Sequence, residues 1–204
     1  MNKGLFITFE GADGCGKTTQ LELCRKYLAE KGYEVVTTLE PGAGEFGKKL
    51  REILLHYKGD VCSLSEFFLF LADRAQNVEY IIKPAVNRGK IVLCDRHTDS
   101  TIAYQGYGRG NDIAQLDMLN SIAVNGTIPD LTLLFDVDTE VAAMRVGDEK
   151  DRMESAGKEF HKNVRMGYLE LAKKYPKRIK VIDANLPINE VFEQVKEVLE
   201  AYCS

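Results

Sequence analysis

Residues 11 to 18, Gly11-Ala12-Asp13-Gly14-Cys15-Gly16-Lys17-Thr18, fit the pattern G-x-x-x-x-G-K-[ST]. The glycines tolerate unusual backbone angles and carry no Cβ, so successive N–H groups can close around phosphate oxygens. A helix that starts at the lysine adds its positive N-terminal end. Lys17 would sit between the outer phosphates, and the Thr18 hydroxyl, with Thr19 beside it, would meet Mg²⁺ and the triphosphate. The pattern points to nucleoside triphosphate binding and is silent on what is done with the triphosphate. Cys15 lies among these amides, where a thiolate is favoured. It is either a reactive thiol or a small residue that fits the loop.

A second set of polar residues follows the apolar run "IVLCD". Asp95 and Arg96 fall at the end of a buried strand, where open α/β sheets bind ligands. An arginine there suits a phosphate through its planar fork, and an aspartate can hold Mg²⁺ or its waters. Ser100 and Tyr104 are four apart, so a helix would set them on one face with Gln105 beside them. In "EFFLFLADRAQ", Phe70 and Arg74 are likewise one helical turn apart. A flat ring with a donor beside it could grip a nucleobase, although an aromatic in such a stripe is more often core. The charged, glycine-interrupted segment 145–160 reads from composition as a solvated loop-helix.

These residues need a scaffold, and the periodicity supplies one. Apolar runs at 5–9, 33–39, 91–95, 131–137 and 180–183 read as strands. Helical patterns occupy 17–31, 46–57, 64–87, 112–124 and the segment from Pro187 to the C-terminus. Short continuous strands alternating with helices predict a parallel sheet covered on both faces. With 204 residues, 45% hydrophobic and no linker-like tract, the chain reads as one domain. The net charge of −4 argues against a nucleic-acid or membrane-surface binder. No run is long enough to span a bilayer or to serve as a signal peptide. The five scattered cysteines show no C-x-x-C spacing, which argues against a zinc site or disulfide framework and for the reducing cytosol.

Several ordered pieces together resemble bacterial thymidylate kinases over nearly the whole length: "FITFEGADGCGKTTQ", "EPGAG", "LFLADRAQ", "CDRHTDSTIAYQG", "PDLTLLFDVD", "KDRMESAGKEFHKNVRMGYLEL" and "VIDAN". The resemblance implies an α/β, three-layer P-loop kinase fold. Its five-stranded parallel sheet would carry helices on both faces and a short lid at about 145–157 in a single domain, 1–204. It implies transfer of the γ-phosphoryl of ATP to dTMP, with Mg²⁺, in a cytoplasmic homodimer built on helices around 46–87. Phe70 would then stack on thymine and Arg74 would bond its carbonyl. Arg96 would bind the dTMP phosphate, and Ser100 and Gln105 would read the base and its surroundings. Tyr104 would crowd the sugar, and Asp13 would approach the 3′-hydroxyl or a metal-bound water. Thr18 and Asp95 would serve the metal. Arg145 and Asn185, in "DAN", would border adenine, and Arg152 would reach across the phosphates in flight with Lys150 nearby. The family's usual Arg-Glu-Pro-Gly-Gly-Thr is here Leu39-Glu40-Pro41-Gly42-Ala43-Gly44, so one acceptor-side arginine is missing.

Two other readings stay in view. A deoxynucleoside kinase would need a carboxylate base, for which Glu10 or Glu40 could stand, but Arg96 favours an acceptor that already carries a phosphate. A P-loop switch that binds guanine would carry N-K-x-D, which is absent, and it has no use for a second nucleotide pocket.

Overall fold

The computed structural model describes residues 4–145 and 157–203. Strands β1 (Phe6–Glu10), β2 (Val35–Leu39), β3 (Ile91–Asp95), β4 (Leu131–Asp136) and β5 (Ile179–Asp183) form a five-stranded sheet in the order β2-β3-β1-β4-β5. Every pairing is parallel, with Phe9 opposite both Asp95 and Leu133. The crossover segments carry helices α1 (Lys17–Glu30), α2 (Gly44–His56), α3 (Ser63–Asn77), α4 (Lys83–Asn87), α5 (Thr98–Thr101), α6 (Ile113–Val124), α7 (Thr139–Arg145) and α8 (Lys158–Lys174), and α9 (Ile188–Cys203) follows β5.

Strand alternation divides the core. Ile7, Phe9, Leu133 and Phe135 turn to one face, where Leu21, Cys24 and Leu28 of α1 and Val191, Val195 and Leu199 of α9 cover them. Phe6, Val92 and Cys94 face the other way, onto Val78, Ile82 and Val86. Leu134 and Ile179 join a third cluster with Phe67 of α3, Leu116 of α6 and Val164 of α8. Each strand is thus apolar on both sides, which is why the strands read as continuous runs rather than as alternating ones.

The helix expected at 64–87 is one helical course that changes pitch. A π turn, Val78–Ile82, separates α3 from α4. Pro84 has no N–H to return to the preceding turn, so regular α winding cannot pass through it unbroken. A second π segment, Ile102–Gly108, continues α5, with the Arg109 N–H donating to the Tyr104 carbonyl at 2.9 Å.

Helix α8 is not among the elements expected from periodicity, although Phe160, Val164, Tyr168 and Leu171 recur at helical spacing. It presses closely on the second π segment. A Cβ at Gly167 would stand 2.7 Å from the Tyr107 ring, and one at Gly108 would stand 2.6 Å from Phe160. The expected lid, with Lys150 and Arg152, falls largely on 146–156 and lies outside the described residues.

Candidate active site

The loop after β1 has the backbone that its composition implies. Gly11, Gly14 and Gly16 have φ of 145°, 78° and 85°, in the region that side chains disfavour. Gly11 is doubly constrained, because a Cβ there would stand 2.6 Å from the Phe135 carbonyl. Nothing lies within 4 Å of a Cβ built on Gly16, so that glycine is needed for its angle and leaves open space in front of α1. Lys17 is buried at the start of α1, 3.8 Å from Asp13. Within the loop Ala12 and Cys15 are buried, and Thr19 just after it is exposed. Of the two readings of Cys15, its burial favours the small residue that fits the loop. Burial raises its pKa, and the nearby charge of Lys17 does not offset this.

Arg96 follows β3 directly with a φ of 69°, left-handed for a non-glycine residue. Such a conformation costs on the order of 1 kcal/mol or more and marks a side chain that must point one way. Here it turns the guanidinium back over the phosphate loop. Nη1 donates to the Gly11 carbonyl at 3.1 Å, to Ser100 at 3.3 Å and to the Tyr168 hydroxyl at 3.2 Å. Nη2 donates to Asp13 and, at 3.1 Å, to the Tyr104 hydroxyl, which itself donates to Asp13 at 2.8 Å. Burial works against charge on Asp13, yet Arg96, Lys17 and Tyr104 overcome it and hold the carboxyl well below its ordinary range.

Beside Arg96 opens a cleft. Asp13, Arg96, Ser100 and Tyr104, joined by the hydrogen bonds just described, line it together with Phe70, Arg74, Thr101, Gln105, Glu40, Pro41, Arg51 and Leu55. Every acceptor-side residue expected from the sequence is therefore in one cavity. Ser100 and Tyr104, like Thr101 and Gln105, are four apart on one helical course, and all four reach the cleft.

Arg74 is 2% exposed. Its Nε donates to Glu40 at 2.8 Å, Nη1 to Thr101 and Asn120, and Nη2 to the His97 carbonyl at 2.9 Å. Four of its five N–H groups are thus committed, and one at Nη2 remains for the cleft.

On the donor side, Thr18 Oγ1 donates to Asp95 Oδ2 at 2.8 Å. Two oxygens at an exposed position suit a hard divalent cation such as Mg²⁺. Arg145 donates to the Ala184 carbonyl at 2.9 Å, which brings α7 to the "DAN" turn. In that turn Asn185 accepts from the Asp138 N–H at 3.0 Å. Arg152 lies outside the described residues.

The structure adds Tyr168 and Arg51 to the site and places Glu10 and Glu40, which the sequence offered only as candidate bases. Glu10 is fully buried and accepts from the His97 N–H at 2.7 Å, from Ser100, and from Tyr168 at 3.1 Å. It lies beneath the cleft rather than in its wall. Burial and the charge of Asp99 push its carboxyl up to about 7. Tyr168 comes from α8 and bridges Glu10, Ser100 and Arg96; the helical spacing of α8 was the available signal for it. Glu40 is buried too. Burial opposes its charge, but His97 and Arg74 hold it down to about 2. Arg51, donating to the Pro41 carbonyl at 2.8 Å, places a cation on the wall beside the substituted Leu39. Glu40, Cys94 and His97 also have ligand atoms within 4.8 Å of one another. The Glu40 oxygens already accept from Arg74, Asn77 and His97, which leaves little for a cation.

Comparison with known proteins agrees with this geometry. The family model described as thymidylate kinase matches residues 9–195. A thymidylate kinase of Desulfovibrio desulfuricans is 44% identical over 97% of this chain and 96% of its own length. One of Maridesulfovibrio salexigens is 47% identical over 94% of this chain and 93% of its own. The crystal structure of thymidylate kinase from Ehrlichia chaffeensis superposes with a TM-score of 0.82 at 40% identity. It covers 98% of this chain and 99% of that one.

Proposed function

The chain belongs to the thymidylate kinase family, whose reaction is phosphorylation of dTMP to dTDP with ATP as donor, and from that premise we propose a role for each residue of the cleft. One observation carries the reading. Arg96 bonds both the carbonyl of Gly11 and the carboxylate of Asp13. A phosphate held by Arg96 therefore lies against the loop that holds the donor's triphosphate.

Gly11 through Thr19 cradle ATP, with Arg145 and Asn185 beside its adenine. Phe70 stacks on thymine, Arg74 gives its remaining N–H to a base carbonyl, and Gln105 reads the neighbouring edge. Ser100 reads the surroundings of the base, Tyr104 crowds the sugar, and Asp13 approaches the deoxyribose 3′-hydroxyl or a metal-bound water. Thr18 and Asp95 hold Mg²⁺, which when bound supplies charge neutralisation on the phosphates. The acceptor is a phosphate oxygen, already ionised near neutral pH, so no strong base is required. The task of the site is to bring two anions into line and to offset their repulsion. Lys17 and Arg96 do this from the described structure, and Arg152 does it from the segment beyond α7.

We read the whole of 1–204 as one kinase domain. No described helix is long and apolar enough to cross a membrane. Cys15, Cys24, Cys62 and Cys94 are free thiols, which supports a reducing, cytoplasmic setting. Exposed Phe46 and Ile53 on α2, Leu64 and Phe68 on α3, and Met118 and Ile122 on α6 support a homodimer through these helices.

The test is ADP release with ATP and Mg²⁺ across a panel of nucleosides and nucleoside monophosphates, for the wild type and Arg152→Ala. The expected result is selective turnover of dTMP, with Arg152→Ala lowering kcat far more than it raises KM. Preference for an unphosphorylated nucleoside would overturn the assignment of Arg96.

A further inference from the structure

Gln105 does not stand alone in the cleft wall. Its Nε2 lies 3.3 Å from Oε1 of Glu66, and both residues are 2% exposed. Glu66 sits on α3 one turn before Phe70 and two before Arg74, so one helix face carries all three. Its second oxygen lies 3.8 Å from the Arg109 guanidinium, which keeps a charged carboxylate tolerable in this interior. The Gln105 carbonyl accepts from Asn111 Nδ2 at 2.7 Å, so the backbone at this point is fixed as well.

An ionised carboxylate accepts hydrogen bonds and cannot donate them, whereas a primary amide has one donating end and one accepting end. Contact with Glu66 therefore settles the amide orientation: Nε2 faces Glu66, and Oε1 is left for the cleft that Gln105 lines. The cleft that both residues line then offers an acceptor from Gln105 and a donor from Arg74. A pyrimidine edge with an N–H next to a carbonyl complements that pair, as thymine and uracil do at N3–H and C4=O. Cytosine offers the reverse, a bare N3 beside an amino group, and would meet acceptor with acceptor and donor with donor.

We propose that Glu66 is the positioning residue that orients Gln105, and thereby makes the cleft select 4-keto pyrimidine nucleotides over 4-amino ones. The proposal rests on the dTMP reading of the cleft given above. In Glu66→Gln, the new amide can either donate or accept, so Gln105 is free to turn. The expected result is that the dTMP-over-dCMP preference in kcat/KM falls about tenfold. The KM for dTMP rises while its kcat changes less, and the melting temperature stays close to wild type. The exchanged pair E66Q/Q105E restores the preference, because the amide moved onto α3 can donate to the carboxylate that replaces it and leave an acceptor oxygen toward the cleft. That pair also serves as the test if Glu66→Gln alone does not fold. Equal losses on dTMP and dCMP, with the ratio unchanged in both variants, would overturn the proposal. Competition by N3-methyl-dTMP against the wild type separates the two levels of argument. Weak competition with an unchanged E66Q ratio rejects only the role of Glu66. Competition equal to that of dTMP rejects the placement of Gln105 at the base edge.

Discussion

Glu10 offers a sharp test of how the floor of the cleft is built. Its carboxyl is enclosed by the His97 N–H, Ser100 and Tyr168, with Asp99 as a like charge nearby and Arg96 as the opposing one. Burial and Asp99 raise its pKa from 4.5 to about 7. For an acid raised on folding, the folded state binds the proton more tightly. Stability contributed by the protonated form is therefore present at low pH and is lost as pH rises from about 4.5 through about 7. At 1.36 kcal/mol per pH unit, the full loss is about 3 kcal/mol, of which about 2 kcal/mol falls between pH 5 and pH 8. Glu10→Gln is the isostere of the protonated acid. Its carbonyl oxygen can keep the His97 N–H, and the two hydroxyls can rotate to accept from its NH₂. Urea unfolding of both proteins at half-unit steps of pH gives the difference curve. Asp73, also raised to about 7 by burial and by Glu40, titrates in the same window but cancels in that difference. Expected is an E10Q advantage that grows by about 2 kcal/mol from pH 5 to pH 8. A difference that stays flat, or one that shrinks as pH rises, would refute the reasoning.

Two further outcomes are expected. Limited alkylation at pH 8 followed by peptide mapping should label Cys62, which is exposed with its thiol lowered by Ser65, well before the buried Cys15. Equal labelling rates would show that the phosphate loop opens far more readily than its packing indicates. Sedimentation equilibrium of the wild type should give a dimer and Phe68→Asp a monomer, since Phe68 is a large apolar side chain left exposed on α3, one of the helices of the proposed interface. A monomeric wild type at micromolar concentration would remove the proposed interface.

Sequence alone determined the features whose causes are local. Glycines at 11, 14 and 16 are needed wherever this loop is placed, and the continuous strands and periodic helices follow from short-range sterics and burial of one face. The placement of Arg96, Ser100, Tyr104 and Gln105 was legible because they lie within ten residues on one strand–helix junction. Tertiary structure alone decided the partners of those residues. Tyr168 reaches Arg96 across 72 positions of sequence, and Glu66 reaches Gln105 across 39. Neither pairing leaves a periodic trace, because a hydrogen bond between distant segments depends on the order in which strands stack. Burial likewise decided the chemistry of Cys15 and Glu10. The motif left Cys15 as either a reactive thiol or a small residue that fits, and desolvation, set by everything packed around the loop, outweighs the local field that would ionise it.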